Sequence, residues 1–200
     1  VTRADITGVI LAGGEGRRLG GVDKGLQELQ GRPMVQWVLD GLAPQVGTVL
    51  ISANRNLPRY ASFGCAVLPD RIPDFAGPLA GLHAALAQAA TPLIATVPCD
   101  SPFLPLDLVQ RLHAALVADK AELAVARAGG RAHRAFCLAR RELLPRLAAF
   151  LAAGERKVGL WHASLKLVEV DFDDEAAAFD NINTPEELAQ CRTAALKPWQ

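Results

Sequence analysis

Ile6-Thr7-Gly8-Val9-Ile10-Leu11-Ala12-Gly13-Gly14 is a short apolar run that stops on two glycines. Branched and aliphatic residues without polar alternation are the mark of a strand covered on both faces, which belongs to a parallel sheet flanked by helices. The following segments extend the pattern. Apolar residues at Met34, Val35, Trp37, Val38, Leu39 and Leu42 are spaced closer to a helix than to a strand, and Pro33 sits where a first helical turn tolerates proline. Residues 49–51 and 65–68 read as the next strands, 77–89 as an alanine-rich helix, 93–97 as a fourth strand and 105–117 as a helix. This alternation predicts an α/β fold: a single-domain three-layer α/β/α sandwich with a mostly parallel sheet. The second half is less regular. Residues 123–127 and 135–138 suit two strands around a polar turn at 129–134, then come a helix at 142–153 and a strand at 165–171. Thr184-Pro185-Glu186-Glu187 has the cap, proline and glutamate of a helix start.

A chain of 200 residues has the length of one ordinary domain. Half of it is apolar and 21% is charged, which supplies a core and excludes a disordered chain. Lys plus Arg equals Asp plus Glu at 21 each, and aromatics are 6%, so neither a basic surface nor base-stacking side chains point to nucleic acid. Cys65, Cys99, Cys137 and Cys191 form no C-x-x-C pair, and His83, His113, His133 and His162 have no H-x-x-x-H spacing, so zinc is not expected. The cysteines read as small buried hydrophobes of a reducing compartment. No basic segment leads into an apolar run, and no uncharged apolar stretch reaches ~18 residues, so the expectation is a cytoplasmic protein without a leader or membrane span. Residues 1–192 are expected to form one domain and 193–200 a loose tail.

Two segments carry chemistry, and both fall where strands of such a sheet end, the edge at which ligands bind. Gly13, Gly14, Gly16, Gly20 and Gly21 are five glycines within nine residues, a backbone able to bend closely round a ligand with several N–H groups turned inward. Arg17, Arg18 and Lys24 add cations, giving a polyphosphate cradle. It is not a Walker loop, because Lys24 lies between Asp23 and Gly25, nor a dinucleotide fingerprint, because position 19 is leucine. A solvated surface loop is the competing reading; the buried strand ahead and the three cations favour the cradle. The second segment is Thr96-Val97-Pro98-Cys99-Asp100-Ser101-Pro102. A carboxylate at Asp100 suits Mg²⁺, which takes one or two carboxylates together with phosphate oxygens. Asp100 as the cap of the helix near Pro105 is the alternative, and the residues alone leave the two nearly even.

Leu11-Ala12-Gly13-Gly14, Arg18-Leu19-Gly20 and Lys24, followed by Pro98-Cys99-Asp100, resemble the nucleotidyltransferases of the Rossmann-like, glycosyltransferase-A-like fold. Gly20-Gly21-Val22-Asp23-Lys24-Gly25, Asn54-Arg55, Asp70 with Gly77-Pro78-Leu79-Ala80-Gly81, and Asn181-Ile182-Asn183-Thr184-Pro185-Glu186-Glu187 are similar to the molybdenum cofactor guanylyltransferase family over about residues 6–190. The resemblance implies transfer of GMP from GTP to molybdenum-loaded molybdopterin with release of pyrophosphate. By position, it implies that Leu11, Ala12 and Gly13 lie against the nucleotide and that Gly14, Arg18 and Lys24 cradle the triphosphate. Asp70 would contact guanosine. Asp100 would hold Mg²⁺, or Mn²⁺ in its place, facing the α-phosphate. Gly77, Gly81, Asn181 and Asn183 would border the pterin. Arg18, Lys24 and Asp100 are the catalytic candidates. Ser52 stands where the family often has a base-contacting asparagine, and no proline follows His133. Relatives acting with CTP or on a sugar phosphate, and a non-catalytic phosphate-binding domain, are the competing functions. Expected partners are the two substrates, with transient contact to molybdenum-insertion proteins and recipient molybdoenzymes; nucleic acid and membrane are not expected, and the chain is expected to be a monomer.

The remaining features read blandly. His83 and His113 fit helix packing, and Trp37 and Trp161 fit core or interface. Trp199 belongs to the tail. Asp171, Asp173, Asp174 and Glu175 look like a solvated acidic loop.

Overall fold

The computed structural model describes residues 2–14, 23–70 and 77–182. In chain order the elements are β1 (Ile6–Leu11), β2 (Glu28–Leu29), β3 (Arg32–Pro33), α1 (Met34–Leu42), β4 (Thr48–Ser52), α2 (Leu57–Ala61), β5 (Ala66–Leu68) and α3 (Pro78–Gln88). β6 (Leu93–Pro98), α4 (Leu108–Ala118), β7 (Leu123–Ala128), β8 (Arg131–Arg140), α5 (Leu144–Ala152), α6 (Val158–Ala163) and β9 (Leu167–Asp171) follow. Among the described residues, seven strands make one sheet in the order β5-β4-β1-β6-β8-β7-β9, and β2 with β3 forms a separate hairpin. All neighbours in the large sheet pair parallel except on the two sides of β8, which runs against β6 and β7.

Both faces of the sheet are covered, which is why β1 shows no polar alternation. Ile6 and Ile10 point into a cluster with Val35, Val38 and Leu42 of α1 and Leu108 and Leu112 of α4. Val9 points the other way, to Leu79, Leu82 and Leu86 of α3, Leu147 of α5 and Trp161 of α6. Each such aliphatic side chain contributes about 1.5–3 kcal/mol when fully buried. No helix of the described residues is long and apolar enough to cross a membrane.

Several elements depart from the sequence expectation. Pro33 is the residue before α1, at φ −54° and ψ 140°, rather than its first helical residue. The turn expected over 129–134 shrinks to Gly129-Gly130, at φ 57° and 73°, the positive values that a tight two-residue hairpin turn needs. The β8 strand is therefore longer than expected, and its pairing with β7 shifts register between Val125 and Ala126. The acidic run is not simply solvated. Asp174 takes two bonds from Arg111, Asp171 pairs with Arg127, and Asp173 accepts the Gly129 N–H. This latches the 3-10 segment Asp173–Phe179 to α4 and to the hairpin turn. Trp161 is buried as expected, and Cys99 and Cys137 are buried while Cys65 is half-buried. Cys191, Trp199, the helix starting at Thr184 and the tail lie outside the described residues.

Candidate active site

Register brings the strand ends level. Leu11 stands opposite Ser52 on one side and Pro98 on the other, and Ser52 stands opposite Leu68. Two residues beyond each strand stands a residue with chemistry: Gly13 after β1, Asn54 after β4, Asp70 after β5 and Asp100 after β6. The chain leaves β1 toward β4 on one side and returns through β6 on the other, so a crevice opens where the strand order reverses.

At that crevice Lys24 Nζ donates to Asp100 Oδ2 at 2.9 Å, with the lysine side chain 25% exposed and the carboxylate 11%. Capping, the competing role for Asp100, is not what it does: Asp107 occupies the N-cap position of α4 without a side-chain capping bond, and Gln45 Oε1 accepts the Val109 N–H there at 2.9 Å. Asp100 is also held from the far end of the chain, since its carbonyl accepts the Ile182 N–H at 2.9 Å. Beside it the buried Ser101 hydroxyl donates to Asn181 Oδ1 at 2.8 Å. Phe179 delivers this returning segment. Its ring lies 4.8 Å from Phe136, 5.0 Å from His133 and 5.2 Å from Phe172. Such aromatic pairs contribute about 0.5–1.5 kcal/mol each beyond burial. Because Thr96 pairs with Cys137 and β8 runs antiparallel, the hairpin turn projects from the same edge as Asp100.

Three further anchors frame the crevice. Asn54 Nδ2 donates to Asp70 Oδ2 at 2.7 Å while the Asp70 N–H donates to Asn54 Oδ1 at 2.8 Å, a reciprocal brace that fixes the Asp70 carboxylate. Burial raises the Asp70 carboxyl above its ordinary value, and the Asn54 bond works against that rise. Arg55 reaches across to the Gly14 carbonyl at 3.2 Å. Asp23, just before Lys24, accepts the Tyr60 hydroxyl at 2.5 Å and Asn56 Nδ2 at 2.9 Å. Burial, then the neighbouring Cys99, then the bond to Asp23 push the Tyr60 phenol up, so it stays a protonated donor.

The structure thus gathers Leu11, Ala12, Gly13, Gly14, Lys24, Asp70, Asp100 and Asn181 at one edge, with Gly77 and Gly81 at the start of α3 beside them. Ser52, at the end of β4, is 2% exposed and lies beneath α3, so its hydroxyl forms part of the floor of the crevice. Gly81 is needed for that packing: a Cβ there would sit 2.7 Å from Ser52 Oγ and 2.7 Å from Leu11 Cδ2. Arg18 and Asn183 lie outside the described residues. Asp23, Asn54, Tyr60 and Ser101 carry no role in the sequence reading. The segments that hold Asp23, Asn54 and Ser101 are the available signal, whereas nothing in the sequence marks Tyr60.

Among the described residues no group of three or more His, Cys, Asp or Glu could hold a metal by itself. One carboxylate, Asp100, at the mouth of the crevice fits a cation whose other ligands come from phosphate oxygens and water.

The MobA-like NTP transferase domain family matches residues 8–166. The chain is 53% identical to the molybdenum cofactor guanylyltransferase of Bordetella petrii, covering 95% of this chain and 98% of that protein. It is 55% identical to the molybdenum cofactor guanylyltransferase of Cupriavidus metallidurans, covering 94% and 95%. The fold is similar to the crystal structure of molybdopterin-guanine dinucleotide biosynthesis protein A from Archaeoglobus fulgidus, with a TM-score of 0.78 and 22% identity over 93% of this chain and 96% of that one.

Proposed function

The chain belongs to the molybdenum cofactor guanylyltransferase family, and from that premise we propose that it transfers GMP from GTP to molybdenum-loaded molybdopterin, releasing pyrophosphate. The observation that carries the site assignment is the Lys24–Asp100 pair, set where β1 and β6 end on either side of the switch in strand order. In the reaction a phosphate oxygen of the pterin substrate attacks the α-phosphorus of GTP. That P–O bond forms as the bond to the β-phosphate oxygen breaks, and pyrophosphate carries away the electron pair. The attacking group is already anionic, so the protein's work is orientation and charge neutralisation.

Lys24 offers its ammonium to the charge that grows on the α-phosphate and the leaving oxygens. The backbone of Leu11 to Gly14 lies against the nucleotide, and Arg18 adds a cation to the triphosphate. Asp70, braced by Asn54, presents a carboxylate acceptor suited to the N–H edge of guanine. Gly77, Gly81, Asn181 and Asn183 border the pterin side, and Ser52 lies under the nucleotide side. Asp100 would hold Mg²⁺, which when bound screens phosphate charge and polarises the phosphoryl group. We place the reaction in the cytoplasm and on a single copy of the chain. The test is pyrophosphate release with loaded molybdopterin and each of GTP, CTP, UTP and ATP. GTP is expected to dominate; equal release with CTP would refute the base assignment.

A further inference from the structure

We propose that Asp23, clamped by Tyr60 and Asn56, is a positioning residue that delivers Lys24 to the reacting phosphates; this rests on the role just given to Lys24 and Asp100.

Asp23 stands at the N-cap of the 3-10 turn Lys24–Leu26 yet makes no capping bond with its side chain. Both carboxylate oxygens leave the turn instead. One takes the Tyr60 hydroxyl and the other the Asn56 amide, from residues 37 and 33 positions further along the chain. Tyr60 is wholly buried in the core cluster that also holds Val35, Val38 and Cys99, so the donor is fixed by packing. On the other side of Lys24, Gly25 is pressed against the same phenol. A Cβ there would lie 2.6 Å from Tyr60 Oη and 3.3 Å from Cys99 Sγ. The turn is therefore wedged between Tyr60 and the end of β6, and Cys99 is the residue before Asp100. Lys24 is flanked by two immobilised neighbours, and its long side chain starts from a fixed Cα.

That matters because a lysine stabilises a transition state only if its ammonium is already where charge develops, and about 1 Å of misplacement can cost roughly 100-fold in rate. A purely structural clamp would affect stability but would not act through Lys24. A double-mutant comparison separates the two. Tyr60→Phe keeps the ring and its volume and removes the one O–H. In the otherwise wild-type enzyme it is expected to lower kcat for GMP transfer about tenfold or more, with KM for GTP changed less than about threefold. In a Lys24→Met background the same change is expected to cost less than about twofold in single-turnover rate.

Asn56→Gly is the second variant. Asn56 is exposed and sits at φ 52°, which glycine adopts freely, so this change removes the amide bond without straining the folded backbone. It decides the matter if Tyr60→Phe does not melt cooperatively, and its expected loss is about threefold in kcat. Equal losses with and without Lys24, or a Tyr60→Phe enzyme within twofold of wild type, would overturn the proposal while leaving the function intact. A wild-type enzyme without GTP-dependent pyrophosphate release would overturn the function and this inference together.

Discussion

Asp100→Asn keeps the size of the side chain and most of its hydrogen-bonding atoms while removing one negative charge. The structure sets two separate magnitudes for it. The first concerns folding. Asp100 and Lys24 are 2.9 Å apart, and their side chains are 11% and 25% exposed. Exposed pairs contribute about 0–1 kcal/mol, and breaking a fully buried one costs about 3–5 kcal/mol. This intermediate case is expected to cost about 1–3 kcal/mol, less than the ~5–15 kcal/mol that typically separates folded from unfolded chains. The variant should remain folded. The second concerns catalysis, where removing a group that faces developing charge costs about 3–4 kcal/mol, or roughly 100–1000-fold. Pyrophosphate release in single turnover, beside a melting curve on the same preparation, measures both. A folded Asp100→Asn enzyme within tenfold of wild type would refute the placement of Asp100 at the reacting phosphate.

Asp70→Ala should raise KM for GTP about tenfold and flatten the preference for GTP over CTP, because the braced acceptor is gone; an intact preference in competition kinetics would refute the guanine contact. Gly81→Ala should cost about 1–3 kcal/mol through crowding against Ser52 and Leu11, lowering Tm by several degrees, and an unchanged Tm would show that α3 yields freely. Below neutrality the protein should weaken through His162. Burial first, and then Arg134, push its folded value down to about 4 from an ordinary 6.5. Between those values the unfolded chain takes up a proton that the folded one refuses, so stability falls as pH drops from about 6.5 toward 4. Urea midpoints across that window should fall less steeply for His162→Gln, and identical slopes would refute the argument.

How much of this was legible in the sequence varies with the kind of structure. The buried strands β1, β4 and β6 announced themselves because both faces are covered and the apolar run is unbroken. The α3 and α4 helices were long enough for periodicity to show. The β2–β3 hairpin, α2 and α6 have two to six residues per element, below the length at which a period can be recognised. The outer part of β8 reads as turn because residues 131–134 are mostly polar, which suits a strand end that projects beyond β6 equally well. At the site, Lys24 and Asp100 were each picked out by local context, but no pattern ties residues 76 positions apart, and their contact came from the fold. The same holds for Tyr60 with Asp23. Ser52 was read by position in a motif, and its burial beneath Gly81 follows from how closely α3 approaches β1 and β4.

The bond from the Ile182 N–H to the Asp100 carbonyl joins positions 82 residues apart. At a ribosomal pace of about 5–20 residues per second, roughly 4–16 s pass between the synthesis of the two. During that interval a nascent chain already has the strand ends at which we place the triphosphate but lacks the segment that grips Asp100 from behind. That hold on Asp100 thus forms late in translation, and a chain stalled before residue 182 would lack it however well its first sheet strands had formed.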